Sequence, residues 1–124
     1  MTYKFEDVVA WQKAHRFAVE TYKATRHFPE DERFGLVSQF RRAAVSIEAN
    51  IAEGYKKLSR TDKLRFFNIS QGSIEECRDY LLLARDLEYF AEGDFERMYL
   101  ALEDASRMLQ LYCDGIIRNN GVKD

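Results

Sequence analysis

Apolar residues recur at helical spacing from about residue 6 to 27: Val9, Ala10, Phe17 and Ala18, joined by Val8, Trp11, Ala14 and Tyr22. Phe28-Pro29-Glu30-Asp31 ends that run, because proline disfavours the α conformation of the residue before it and acidic groups suit a following helix N-terminus. A second helical pattern covers about 32–56. Ser59-Arg60-Thr61-Asp62 then offers polar capping residues before a third, at about 61–91. Glu92-Gly93-Asp94 interrupts the chain again, with Gly93 expected just past the third helix and Asp94 as N-cap of a fourth, at about 94–118. Short connections between four helices predict an all-α, antiparallel up-down-up-down four-helix bundle, forming a single domain over 1–124. Within the third helix, Ser73-x-x-Glu76 has the form of a capping box. Yet Ile69, Gly72, Ser73, Glu76, Cys77, Tyr80, Leu83, Ala84 and Leu87 stay in phase on one face, which predicts one continuous helix, bent at most at Gly72.

The second helix is unusual. Between Phe34 and Tyr55 its only charged side chains are Arg41, Arg42, Glu48 and Glu53. Leu36, Phe40, Ala43, Ala44, Ile47 and Ile51 make one apolar face, while Val45, Ala49 and Ala52 lie on another side beside Ser38. A helix apolar on two sides is expected to be covered twice, so Val45, Ala49 and Ala52 are the candidate oligomer interface. Between the faces runs a polar stripe of Gln39, Arg42, Ser46, Asn50 and Glu53. Glu76 falls within the apolar face expected for the third helix, where an unpaired carboxylate is costly. A chain reversal near Ser59 sets Arg42 opposite Glu76, Ser46 opposite Gly72 and Asn50 near Asn68. Gln39, Arg42, Ser46, Asn50, Glu53 and Glu76 are therefore expected to form an internal polar network containing an Arg42–Glu76 pair.

Composition narrows the picture. A chain of 124 residues, 46% hydrophobic and 32% charged, is long enough for one ordinary core. One proline and six glycines are too few turn-formers for a many-stranded β fold. The net charge of −2 excludes a uniformly basic coat for nucleic acid. Charge placement matters more: Lys56, Lys57, Arg60, Lys63 and Arg65 crowd one connection, opposed only by Asp62. The bundle topology brings Lys4, Arg118 and Lys123 to the same end, and gathers Glu30, Asp31, Glu32, Glu88, Glu92, Asp94 and Glu96 at the other. Two readings follow: RNA phosphates at the basic end, with Tyr55 near for stacking, or a protein-interaction scaffold with a merely solvated lysine-rich loop.

Catalytic signatures are missing. The Glu-x-x-His pattern of carboxylate-bridged metal bundles fails, since Gln12 precedes His15 by three residues and Ala24 precedes His27. No zinc spacing, glycine-rich phosphate loop or nucleophile elbow occurs. No catalytic, cofactor-binding or metal site is therefore expected, and the protein is expected not to be an enzyme. Cys77 and Cys113 lie in helical apolar surroundings and are expected as buried thiols. The opening residues lack an apolar signal core, and the densest apolar run, Tyr80 to Ala84, is far too short to span a bilayer. The expected location is the cytoplasm, with no membrane partner.

Several separated motifs resemble one family. They are Phe5-x-Asp7-Val8-x-x-Trp11-Gln12-Lys13-Ala14, then Phe28-Pro29 followed by Glu32-Arg33-Phe34-Gly35-Leu36, and Gly72-Ser73-x-x-Glu76. The most specific are Ser38-Gln39-Phe40-Arg41-Arg42-Ala43-Ala44-Val45-Ser46-Ile47 and Ala49-Asn50-Ile51-Ala52-Glu53-Gly54. Together they resemble the four-helix bundle proteins named for 23S rRNA intervening sequences, also called S23 ribosomal proteins. The resemblance implies bacterial, cytosolic bundles that assemble as homopentamers and are related to the accessory protein of diversity-generating retroelements. It implies no established activity, and the shared motif residues suit architecture better than catalysis.

Overall fold

A computed structural model describes residues 4–119, so Lys123 of the expected basic end lies outside the described residues. Four helices carry the fold: α1 (Val9–Thr25), α2 (Leu36–Lys56), α3 (Arg60–Asp86) and α4 (Asp94–Arg118). Short 3-10 turns occur at Phe5–Asp7 and Glu30–Glu32, and there is no strand among the described residues.

Helix ends show where local chemistry departs from the hydropathy pattern. α1 starts at Val9 rather than near residue 6, because Val8 is extended and the preceding turn folds back onto the helix. Gln12 Nε2 donates to Glu6 O at 2.9 Å, and the Phe5 ring meets Trp11 edge-on at 5.2 Å. α2 starts at Leu36 rather than 32, since a separate turn and a non-helical Gly35 intervene. Glu32 Oε1 accepts from the free Leu36 amide at 3.1 Å, supplying a cap from outside the helix. α3 opens with its Ser59 cap, whose hydroxyl accepts from the Asp62 amide at 3.1 Å. It ends at Asp86, short of the expected 91. Glu88 takes the left-handed conformation (φ 62°), Tyr89 N–H returns to Ala84 O, and Glu88 N–H returns to Arg85 O. This is a Schellman ending with glutamate where glycine is usual. Gly93 (φ 85°) instead precedes α4, and Asp94 is the first residue of that helix rather than its cap.

Each helix packs against two neighbours, α1 and α3 both lying against α2 and α4. Phe17, Phe40, Phe67, Ile47, Ile51, Ile74, Leu81, Met98, Leu102 and Leu109 fill the shared core. Ser70 Oγ donates to Ile47 O at 2.8 Å and Ser73 Oγ to Ser46 Oγ at 2.9 Å, fixing how α3 sits on α2. Those bonds rotate the buried face of α3 away from the expected one. Phe67, Ser70, Ser73, Ile74, Cys77, Leu81 and Ala84 are buried, whereas Ile69, Gly72, Leu83 and Leu87 are exposed. Two serines hold core positions because α2 satisfies their hydroxyls, which hydropathy alone does not reveal. α3 runs unbroken through Gly72, so the Ser73 capping box is not used.

Candidate functional site

The basic cluster is built by the last turn of α2, the short connection and the first turns of α3. Its cations are largely engaged with the protein's own aromatic and carbonyl groups. Lys57 Nζ lies 4.9 Å from the Phe66 ring centre, and the Arg65 guanidinium lies 5.1 Å from the same ring. Arg65 also approaches Asp62 at 3.5 Å. Lys63 Nζ donates to Tyr55 O at 2.6 Å, where it satisfies a carbonyl in the last turn of α2 and complements the helix dipole. Burial pulls the Lys63 ammonium below the usual lysine range. Lys56 projects into solvent, Arg60 stands half-buried in the first turn of α3, and Leu58 between them is 99% exposed. Tyr55, expected as a stacking platform, instead packs half-buried against the core, with Lys63 Nζ 5.6 Å from its ring centre. Lys4 and Arg118 are both exposed. Energetically this end offers charge rather than open aromatic faces.

The polar stripe divides into two bonded groups. Asn50 Nδ2 donates to Ser46 O at 2.9 Å and to Ser46 Oγ at 3.1 Å, and Ser73 adds its hydroxyl to the same centre. Ser73 thus takes the place expected for Gly72 opposite Ser46. In the second group, the Tyr80 hydroxyl lies 3.0 Å from Glu76 Oε2 and 3.1 Å from Gln39 Oε1. Arg42 reaches the same Gln39 oxygen at 3.5 Å. The expected direct Arg42–Glu76 pair is therefore replaced by a relay through Gln39 and Tyr80. Tyr80 stands one turn beyond Glu76 and reaches its carboxylate, while Arg42 remains exposed. Burial and then the Glu76 carboxylate push the Tyr80 phenol above its ordinary range. Glu53 is exposed and joins neither group, so the network is marginal to the core rather than internal. Ser73 and Tyr80 are the members that sequence reasoning missed, as it missed the separate Ser70 contact to Ile47 O. Serines in phase with Phe67, Ile74 and Leu81 were the available signal.

The outward side of α2 is open. Val45 is 39% exposed, Ala49 is exposed and Ala52 is half-buried. Val45 forms one wall of a groove of about 340 Å³ between α1 and α2, opposite Ala18, Val19 and Tyr22. The groove is fixed at one side by His15 Nδ1 and Glu48 Oε2 at 2.9 Å, with Trp11 stacked on His15 at 4.7 Å. A larger depression of about 650 Å³ between α1 and α4 is lined mainly by charge, including Lys13, Arg16, Arg97 and Arg107. Its carboxylates already hold cations: Lys13–Asp104 at 3.1 Å, Arg107–Asp104 at 2.7 Å and Arg97–Glu20 at 3.6 Å. Among the described residues, no three His, Cys, Asp or Glu side chains converge as a metal site, and no helix is long and apolar enough to cross a membrane.

Four helices closed around one core, with serine contacts setting the α2–α3 register and a cation cluster at one connection, define an all-helical protein. Within that class, the chain belongs to the 23S rRNA-intervening sequence protein family, whose profile matches residues 6–111. A solved structure of similar fold comes from Bacteroides thetaiotaomicron VPI-5482, a protein with unknown function from the S23 ribosomal protein family. The two are 24% identical over 88% of this chain and 98% of that chain, with a TM-score of 0.79. No curated protein matches the chain.

Proposed function

We propose that this chain is a non-enzymatic, cytoplasmic building block: an antiparallel up-down-up-down bundle that forms a homo-oligomer and meets RNA through its basic ends. One observation carries the reading. α2 buries Leu36, Val37, Phe40, Ala43, Ala44, Ile47 and Ile51 in its own subunit, yet leaves Val45 and Ala49 open on its other side. That second face is the surface an oligomer covers. Five is the copy number the family resemblance implies. In a closed ring, symmetry repeats Lys56, Lys57, Arg60, Lys63 and Arg65 around one rim, which multiplies a modest charge cluster. With Tyr55 packed against the core and Phe66 already carrying two cations, contact with RNA runs through phosphates rather than through stacked bases.

Titration of fluorescent structured and single-stranded RNA at low and moderate salt tests the RNA part. Affinity should fall steeply with salt, by a log–log slope of about −0.7 to −0.9 for each phosphate contacted. Reversing Lys56, Lys57, Arg60 and Lys63 should abolish binding. A second reading, a protein-interaction scaffold with no nucleic-acid role, is favoured by the internal engagement of Lys63 with Tyr55 O and of Arg65 with Asp62. Absence of RNA binding at low salt, or binding untouched by the reversal, selects it.

A further inference from the structure

The open groove between α1 and α2 has a counterpart elsewhere on the same chain. Leu100, 70% exposed on α4, stands beside Ala101 at the edge of the charged depression between α1 and α4. Its height along the bundle is set by the ion pairs Arg97–Glu20 and Lys13–Asp104, which place it level with the stretch of α1 between Lys13 and Glu20. The height of Val45 in the groove is set by His15–Glu48 and by Arg41 Nε donating to Thr25 Oγ1, which place it between His15 and Thr25. Knob and hole therefore sit at about the same level. Their charges also match. Lys23 and Arg26 rim the groove, are exposed and have no ion-pair partner among the described residues. Glu96 lies one turn from Leu100, toward the same end of the bundle as Lys23, is exposed, and likewise has no ion-pair partner among the described residues.

We infer that Leu100 of one copy seats in the α1–α2 groove of the next, against Val19, Tyr22 and Val45, with Glu96 facing Lys23 and Arg26. This rests on the homo-oligomer reading above and names the surfaces that join. The two surfaces are different patches, so the contact runs head-to-tail from copy to copy, and the length of a covalent ladder separates this from a two-fold pair in which each Leu100 seats in the other copy's groove. Because the two surfaces are level, successive copies add side by side without climbing along the bundle axis, the arrangement a closed ring requires.

Cysteine pairing in the full chain tests the inference. Under oxidised glutathione, the double variants L100C/V45C or L100C/V19C should give a covalent ladder that stops at the size of the native oligomer. The three single variants should give none. Cys77 and Cys113 stay silent, being buried. In light scattering, L100E should raise the concentration for half-assembly by about tenfold or more. K23E should weaken assembly, and E96K in the same chain should restore it. An oligomeric wild type in which neither double variant cross-links overturns the inference and leaves the homo-oligomer reading standing. A ladder that stops at the dimer, or cross-linking by L100C alone, overturns it as well, since either marks a two-fold contact. A monomeric wild type overturns both.

Discussion

Two helix-interior glycines should respond to alanine in opposite directions. At Gly54 a Cβ would stand 2.6 and 3.0 Å from two Phe67 ring carbons and 2.9 Å from Phe66 Cβ. Phe67 is fully buried, so its ring has nowhere to swing, and Phe66 Cβ is fixed to the α3 backbone. Relief therefore requires α2 and α3 to separate near their connection. Overpacking of this kind costs about 1–3 kcal/mol, and replacing a helical glycine by alanine returns about 1 kcal/mol. Rigid neighbours put the cost in the upper part of that range, about 2–3 kcal/mol, so Gly54→Ala should lose about 1–2 kcal/mol net. At Gly72 a Cβ meets nothing within 4 Å, so Gly72→Ala keeps only the propensity gain of about 1 kcal/mol. Urea and thermal unfolding followed by far-UV circular dichroism, at one protein concentration, reads both. Each kcal/mol should move Tm by about 3–5 °C for a chain of this length. A Gly54→Ala protein as stable as the wild type, or both variants shifting the same way, refutes the close approach of α2 and α3 at Gly54.

Three further outcomes follow from single residues. Glu88→Gly should raise stability by about 0.5–1 kcal/mol, because glycine adopts the left-handed helix ending without a Cβ penalty, and an unchanged urea midpoint would contradict this. The Tyr89 hydroxyl, 2.7 Å from Glu32, and then the Leu36 amide hold the Glu32 carboxyl below its usual range, while that carboxylate raises the Tyr89 phenol. The lowered group stabilises the fold above the unfolded carboxyl pKa and loses that effect as pH falls through the folded value. The raised phenol stabilises below the unfolded tyrosine pKa and loses that effect as pH rises through its folded value. Wild type should therefore exceed Tyr89→Phe on a plateau between about pH 5 and about pH 9 and converge with it on both sides; a flat difference from about pH 2 to 11 would refute the bond. Burial pushes the Cys113 thiol up to about 11 and Cys77 higher still, so a disulfide reagent at mildly alkaline pH should label both slowly until urea is added. Fast labelling of the native protein would contradict the burial.

What the sequence discloses depends on whether a helix needs its neighbours to define it. The bounds of α4 are legible because a chain break at Gly93, an acidic first turn and a strong apolar stripe coincide, although Gly93 caps α4 where the sequence suggests Asp94. The Ser59 cap is legible for the same reason, since a local side chain satisfies a local amide. The buried face of α3 is not, because Ser70 and Ser73 become core residues only once α2 offers Ile47 O and Ser46 Oγ. The end of α3 is hidden too: glutamate at a left-handed position carries no sequence signal, and Tyr89 stays at the bundle end through Glu32, far away in the chain. Among the candidate sites, the basic cluster could be read from charge runs alone. The engagement of Lys57 and Arg65 with Phe66, and of Lys63 with Tyr55 O, depends on how the first turns of α3 fold back on the end of α2 and leaves no mark in the charge run. Chain reversal alone sets Arg42 against Glu76, and only side-chain geometry shows Tyr80 and Gln39 standing between them.

The open side of α2 is the feature on which the functional account rests. Light scattering on the size-exclusion peak of the wild-type protein at micromolar concentration tests it most directly. The account predicts a single species at a fixed multiple of the subunit mass, five by the family resemblance, that is unchanged on dilution through the micromolar range. A clean monomer across that range would contradict it.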